Sequence, residues 1–147
     1  MTLGSALSER YSHVRASRRV LSVADAIFEE PRLAEIYDPL DPDRSDLDAY
    51  VALADEFGAG SVLDVGCGTG TLACLLAGRG LEVIGIDPAA ACLDVARRKP
   101  GSDRVRWMHE DALALPPLQV DLATMTGNVA QVCTMKLPLT RDALIKG

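Results

Sequence analysis

Aromatic side chains make up only 4% of this 147-residue sequence, so its interior has to be built from aliphatic residues and alanine. No apolar run approaches the ~18 residues of a membrane-spanning helix, and no apolar segment follows a basic start. Neither a membrane anchor nor a secretory signal is expected, and the location expected is cytoplasmic. Clusters of Lys and Arg are missing too. The net charge is −6, and a general nucleic-acid surface needs positive charge gathered on one face. The four cysteines, Cys67, Cys74, Cys92 and Cys133, form no CxxC pair, and His13 and His109 stand far apart. That spacing argues against a zinc site and against a disulfide framework. Reduced, mostly buried thiols are expected instead. What remains is an ordinary globular balance, 48% apolar and 24% charged, in a chain long enough for one domain with a buried core.

Residues 1–19 form a polar arm in which Arg10, Arg15, Arg18 and Arg19 are offset by Glu9 and nearby acids, which reads as a solvated segment. Residues 20–37 read as helix, interrupted at Pro31, from the spacing of Val20, Leu21, Val23, Ala24, Ile27 and Phe28. Residues 38–46, with two prolines and four aspartates, read as a loop. Ser45 or Asp46 is placed to cap a helix from about Leu47 to Phe57, which Gly58-Ala59-Gly60 would end. From there a regular alternation begins. Strands are expected at Ser61–Val65, Leu81–Ile86, Arg104–His109 and Val120–Met125, and helices at Gly70–Gly78 and Ala89–Arg98. Strands alternating with short helices imply right-handed βαβ units and a parallel sheet. After Gly127 the pattern fades. The domain is read over 20–133, with an atypical tail at 134–147.

The chemistry concentrates after the first strand, in Asp64-Val65-Gly66-Cys67-Gly68-Thr69-Gly70. Glycine at alternate positions permits a sharp turn and close approach of a ligand to the backbone. The spacing is GxGxG, not the GxGxxG of a dinucleotide fold, and no Gly-Lys-Ser/Thr follows, which excludes a phosphate P-loop. Asp64 would repel a pyrophosphate and suits a positively charged ligand. One βαβ unit later, Asp87 ends the second strand, where an acid can accept hydrogen bonds from both hydroxyls of a ribose. Beyond the third strand, Glu110-Asp111-Ala112 offers an acid for an exocyclic amine and a small residue whose backbone N–H can meet a ring nitrogen. A nucleotide-binding or dinucleotide-dependent protein of similar fold is the competing reading, disfavoured by the glycine spacing and by Asp64.

Together these segments resemble the class I S-adenosylmethionine-dependent methyltransferases. The matching stretches are Val62 to Gly70, Val83-Ile84-Gly85-Ile86-Asp87-Pro88, Glu110-Asp111-Ala112, and Val120-Asp121-Leu122 leading to Thr126-Gly127-Asn128. The resemblance implies a Rossmann-like, doubly wound α/β sheet behind N-terminal helices. It also implies that S-adenosylmethionine is bound by Asp64, Gly66 and Gly68 along its methionine and ribose part and by Asp87 at the ribose. Pro88, Asp111 and Ala112 would lie around the adenine, Thr126 near the sulfonium, and Tyr37 near the carboxylate end. The acceptor implied is a small molecule. No catalytic residue is assigned, because the sulfonium is already activated and the protein has mainly to align the acceptor. His109, at a strand end, reads as structural, and Trp107 as a packing residue.

Family members carry seven strands in the order 3-2-1-4-5-7-6, and four are read here, giving an incomplete sheet of order 3-2-1-4. The fourth strand would then be an open edge, to be covered by the tail or by a homodimer partner. The alternative to an active enzyme is a truncated, non-catalytic module that binds S-adenosylmethionine.

Overall fold

A computed structural model describes residues 28–126 of the chain. The polar arm, the residues from 20 to 27 and everything after Thr126 lie outside the described residues. The helical run breaks ahead of Pro31, as expected: Phe28 and Glu29 are helical and Glu30 is extended, at ψ 114°. A residue before proline is pushed out of the helical region. Helix α1 then starts at Pro31 and runs to Leu40, past its expected end at Tyr37. Proline is tolerated in the first turn, where its missing N–H has no helical partner to lose. The expected loop therefore begins only at Asp41. Neither Ser45 nor Asp46 caps the next helix. Asp43 instead accepts the Ser45 N–H at 3.1 Å, a 3₁₀ turn spans Ser45–Leu47, and α2, Asp48–Glu56, follows it without a side-chain cap. Its other end closes as expected on glycine. Gly58 takes φ +59°, and the N–H groups of Gly58 and Ala59 return to the carbonyls of Asp55 and Ala54, both at 3.0 Å.

The four strands are β1 (Ser61–Val65), β2 (Glu82–Ile86), β3 (Val105–Met108) and β4 (Leu122–Thr124), in one parallel sheet of order β3-β2-β1-β4. Helix α3, Thr71–Gly78, connects β1 to β2, and α4, Ala90–Arg97, connects β2 to β3. The later strands start one or two residues later than their apolar runs suggest; for β2 and β3 the leading N–H groups bond back into the preceding turns. Leu81 N–H returns to Leu76 and Arg104 N–H to Gly101, whereas Asp121 N–H, just ahead of β4, already reaches the Ser61 carbonyl of β1.

Register explains the two faces of the sheet. Val62, Val83 and Val105 are aligned and share one face with Leu47, Ala54, Leu72 and Leu76. Leu63, Val65 and Ile86 fall on the other face, under Met108, Leu115, Leu118 and Val120, as a two-residue side-chain period requires. The same register sets Thr124, Asp64, Gly85 and Trp107 in one row across all four strands. Helix α1 packs on α4 through Ala34, Ala89 and Cys92.

At the amino ends of the strands one side chain ties β4 to β1. Asp121 Oδ2 accepts the N–H groups of Gly60 and Ser61 and the Ser61 hydroxyl, each at 2.9 Å. These bonds hold the Asp121 carboxyl below its usual pKa. Asp121→Ala is expected to lower the thermal midpoint near pH 7, followed by circular dichroism. A group with a depressed folded-state pKa gives stability above its unfolded pKa and loses it as pH falls through the folded one. The gap between variant and parent should therefore narrow below about pH 4.

Candidate functional site

Asp64, the glycine loop and Asp87 meet at the carboxyl ends of β1 and β2, where open α/β sheets bind their ligands, whereas Tyr37 is on α1. Asp64 precedes the last residue of β1 and is 1% exposed. Its Oδ1 accepts the Thr124 hydroxyl at 3.0 Å, and its Oδ2 is buried without a hydrogen-bond partner. Burial pushes the Asp64 carboxyl up to about 7. The Thr124 hydrogen bond opposes that shift, and the neighbouring Asp87 charge adds to it. Thr124 was not singled out by the sequence, although a hydroxyl two residues into β4 on the Asp64 face is what the register would select.

The glycine loop leaves β1 and stays attached to β2. The N–H groups of Gly66 and Cys67 both donate to the Ile86 carbonyl, at 2.8 and 3.0 Å. Gly66, Gly68 and Gly70 have φ of +68°, +53° and +76°, a region that side-chain-bearing residues enter only at a cost. Gly68 N–H donates to Asp87 Oδ2 at 2.8 Å, and the space where a Cβ of Gly68 would stand is open. Gly70 is held differently. A Cβ there would stand 2.4 Å from Trp107 Cη2 and 2.8 Å from the Ala96 Cβ. Trp107 also crosses Gly85, whose Cβ would come within 2.7 Å of the ring. The packing role expected for Trp107 is therefore specific: its ring lies between β2 and the loop, and its indole N–H is satisfied by the Ser102 carbonyl at 3.1 Å.

Asp87 follows β2 and is buried. Besides the Gly68 N–H, it accepts the Ala89 N–H at 2.8 Å through Oδ1, which closes the turn ahead of α4. Pro88 comes next, and its carbonyl is 2.9 Å from His109 Nε2, which gives that histidine the structural contact expected of it. Asp111 and Ala112 enter a 3₁₀ turn beyond β3, where the Asp111 carbonyl accepts the Ala114 N–H. Ala112 packs on the Leu63, Val65 and Ile86 side of the sheet. Thr126 lies two residues past β4 and is half-buried. Tyr37, on the last turns of α1, is 46% exposed. Its neighbour Asp38 accepts the Thr69 hydroxyl at 2.7 Å, which joins α1 to the glycine loop.

Cys67 and Cys92 are buried, as expected, and Cys74 is half-buried; Cys133 lies outside the described residues. Burial raises the pKa of all three, that of Cys92 to about 11, which disfavours the nucleophilic thiolate. A groove of about 400 Å³ lies between α1 and α4, lined by Glu35, Asp94, Arg97 and Arg98 among others. None of the sequence-predicted site residues lines it. No helix among the described residues is long and apolar enough to cross a membrane.

A parallel sheet of order 3-2-1-4, with an acid near the end of β1, a glycine loop after it and an acid after β2, is that of the class I, S-adenosylmethionine-dependent methyltransferase type. A family profile described as a methyltransferase domain matches residues 62–141, more than half of the chain, and the chain belongs to that family. A demethylmenaquinone methyltransferase of Clavibacter sepedonicus is 43% identical over 56 residues, covering 37% of this chain and 23% of that protein. Among solved structures, magnesium protoporphyrin IX methyltransferase from Synechocystis PCC 6803 with bound SAM has a TM-score of 0.60 at 20% identity. The match covers 71% of this chain and 60% of that chain. The complex of DhpI with SAH has a TM-score of 0.52 at 25% identity, over 69% of this chain and 50% of that chain. The chain thus spans less than two thirds of each of these relatives.

Gly70→Ala should destabilise the fold by about 2–4 kcal/mol, combining overpacking against Trp107 with a left-handed φ. Urea denaturation of Gly70→Ala, Trp107→Leu and the double variant checks the cause. The double variant should be less destabilised than the sum of the two single changes, because the smaller side chain makes room for the methyl group.

Proposed function

We propose that the chain binds S-adenosylmethionine at the carboxyl end of β1 and transfers its methyl group to a small-molecule acceptor, in the cytoplasm. The observation that carries this reading is the buried Asp64 carboxylate with its unpartnered Oδ2, beside a loop whose Gly68 leaves open space. A buried anion has a weakly screened field and favours a cation nearby. S-adenosylmethionine supplies such a cation and, when bound, a methyl group already activated for attack.

In this reading the residues divide the cofactor among them. Asp64, Gly66 and Gly68 lie along the methionine and ribose part. Asp87 accepts the ribose hydroxyls, a task open to it because a carboxylate offers about four acceptor sites. Pro88, Asp111 and Ala112 border the adenine, and the backbone through Thr126 passes the sulfonium. Tyr37 stands at the carboxylate end. The protein's contribution to the reaction is alignment of the acceptor and exclusion of water. A homodimer partner would complete the side of the sheet beyond β4, which among the described strands pairs only with β1.

The acid-base state of Asp64 supplies a test. S-adenosylhomocysteine lacks the sulfonium charge. Only the ionised Asp64 attracts that charge, and its pKa is raised to about 7. The preference for S-adenosylmethionine over S-adenosylhomocysteine should therefore grow as pH rises from about 6 to 8. Asp64→Asn should flatten that rise and weaken S-adenosylmethionine binding by about tenfold, or about 1.4 kcal/mol. Isothermal titration calorimetry across that range reads both. A folded sample that binds neither ligand would refute the reading.

A further inference from the structure

The glycine loop is a flexible piece of chain by composition, and each of its members is held by a hydrogen bond. Gly66 and Cys67 are held by the Ile86 carbonyl, Gly68 by Asp87, and Gly70 by the Cys67 carbonyl. Thr69, between two left-handed glycines and 4% exposed, is gripped through its side chain. Its hydroxyl donates to Asp38 Oδ1 at 2.7 Å. The Thr71 hydroxyl, in the first turn of α3, approaches the same oxygen at 3.4 Å. Lys99, just after α4, closes the cluster. Its Nζ is 2.7 Å from Asp38 Oδ2, 2.7 Å from Thr71 Oγ1 and 3.3 Å from Thr69 Oγ1. Three separate segments therefore meet on one carboxylate: the last turn of α1, the loop with the start of α3, and the end of α4.

This cluster differs from an ordinary surface ion pair. Asp38 and Lys99 are both mostly shielded, at 29% and 21% side-chain exposure, and the acid is bonded through both oxygens. Burial would raise the Asp38 pKa, but the Lys99 ammonium and the two threonine hydroxyls outweigh it and hold the carboxyl below its usual value. A second ion pair, Arg98 with Glu35 at 3.3 Å, also joins α4 to α1. Both of its side chains are more than half exposed, and it touches no loop residue. The two pairs join the same helices, and only one of them reaches the loop.

We infer that Asp38 and Lys99 are positioning residues that preset the glycine loop, through Thr69 and Thr71, in the shape that receives the cofactor. The inference rests on the cofactor reading proposed above. A glycine-rich loop that had to order on binding would spend part of the affinity on that ordering, and one ordered beforehand does not. The same contact fixes the last turn of α1, which also carries Tyr37.

The test compares S-adenosylhomocysteine binding by the unaltered chain with binding by Lys99→Met, Asp38→Asn, their combination, and Glu35→Gln as a control, all at a temperature where each is folded. Lys99→Met and Asp38→Asn should each raise Kd about tenfold, chiefly through faster dissociation. The combination should raise it no further than the more harmful single change, because both act through one contact. Lys99→Arg should restore most of the affinity, and Glu35→Gln should leave Kd unchanged. If Lys99→Met does not fold, Thr69→Val, nearly isosteric, removes the same grip and should weaken binding similarly. Unchanged Kd in the folded Asp38, Lys99 or Thr69 variants, or an equal loss in Glu35→Gln, would overturn the positioning role while leaving the cofactor reading standing. Failure of the unaltered, folded chain to bind would overturn both.

Discussion

The carboxylate of Asp64 is a group that the fold buries at a cost. It is fully buried, bonded through one oxygen, and close enough to Asp87 to be repelled by it. An isolated buried charge is unfavourable, and such a group raises its pKa or finds a partner. Asp64 does the first, and Thr124 is only half of the second. Because the folded chain holds the Asp64 proton more tightly than the unfolded chain does, this group lowers stability as pH rises from the ordinary carboxylate pKa to about 7. An aspartate at that place in β1 works against the fold, and a cationic ligand is what would make it favourable.

The packing around it follows from the need to keep the end of β1 open. One row of the sheet runs Thr124, Asp64, Gly85, Trp107, and each position in it serves its neighbours. Gly85 has no side chain, so Trp107 can lie across β2. Trp107 reaches Gly70, so Gly70 has to be glycine for space as well as for its φ. The single tryptophan of an aromatic-poor chain is spent on supporting the loop from below. The Asp38–Lys99 cluster grips Thr69 and Thr71 on either side of Gly70, and Asp87 binds the Gly68 N–H. The loop is thus a glycine segment with the conformational freedom of glycine and very little slack.

Much of this was legible in the sequence, and the reasons are specific. The strand-loop-helix order around Asp64, the acid after β2 and the alternation of strands with short helices all depend on local pattern. Local pattern is what a sequence carries, and the parallel sheet of order 3-2-1-4 follows from it together with the family resemblance. Element ends were less accessible. The N–H groups of Leu81 and Arg104 bond back into the turns before β2 and β3, and apolar runs do not record that. Ser45 and Asp46 do not cap α2 because they are taken up in the 3₁₀ turn that precedes it, whose first N–H, that of Ser45, bonds to Asp43. Thr124, Asp38 and Lys99 escaped notice because their roles come from register and from the docking of α1 on α4, which bring together residues about 30 to 60 apart in the chain. Trp107 was recognised as a packing residue, but its two glycine partners could be seen only across the sheet.

The most direct measurement of the central claim is a crystal structure of the chain soaked with S-adenosylhomocysteine. The account predicts density for the amino-acid part over the Gly66–Gly70 loop beside Asp64, with the ribose hydroxyls on Asp87 and the adenine between Pro88 and Ala112. Density at the charged groove between α1 and α4, or none at the carboxyl end of β1 when the lattice leaves that end accessible, would contradict it.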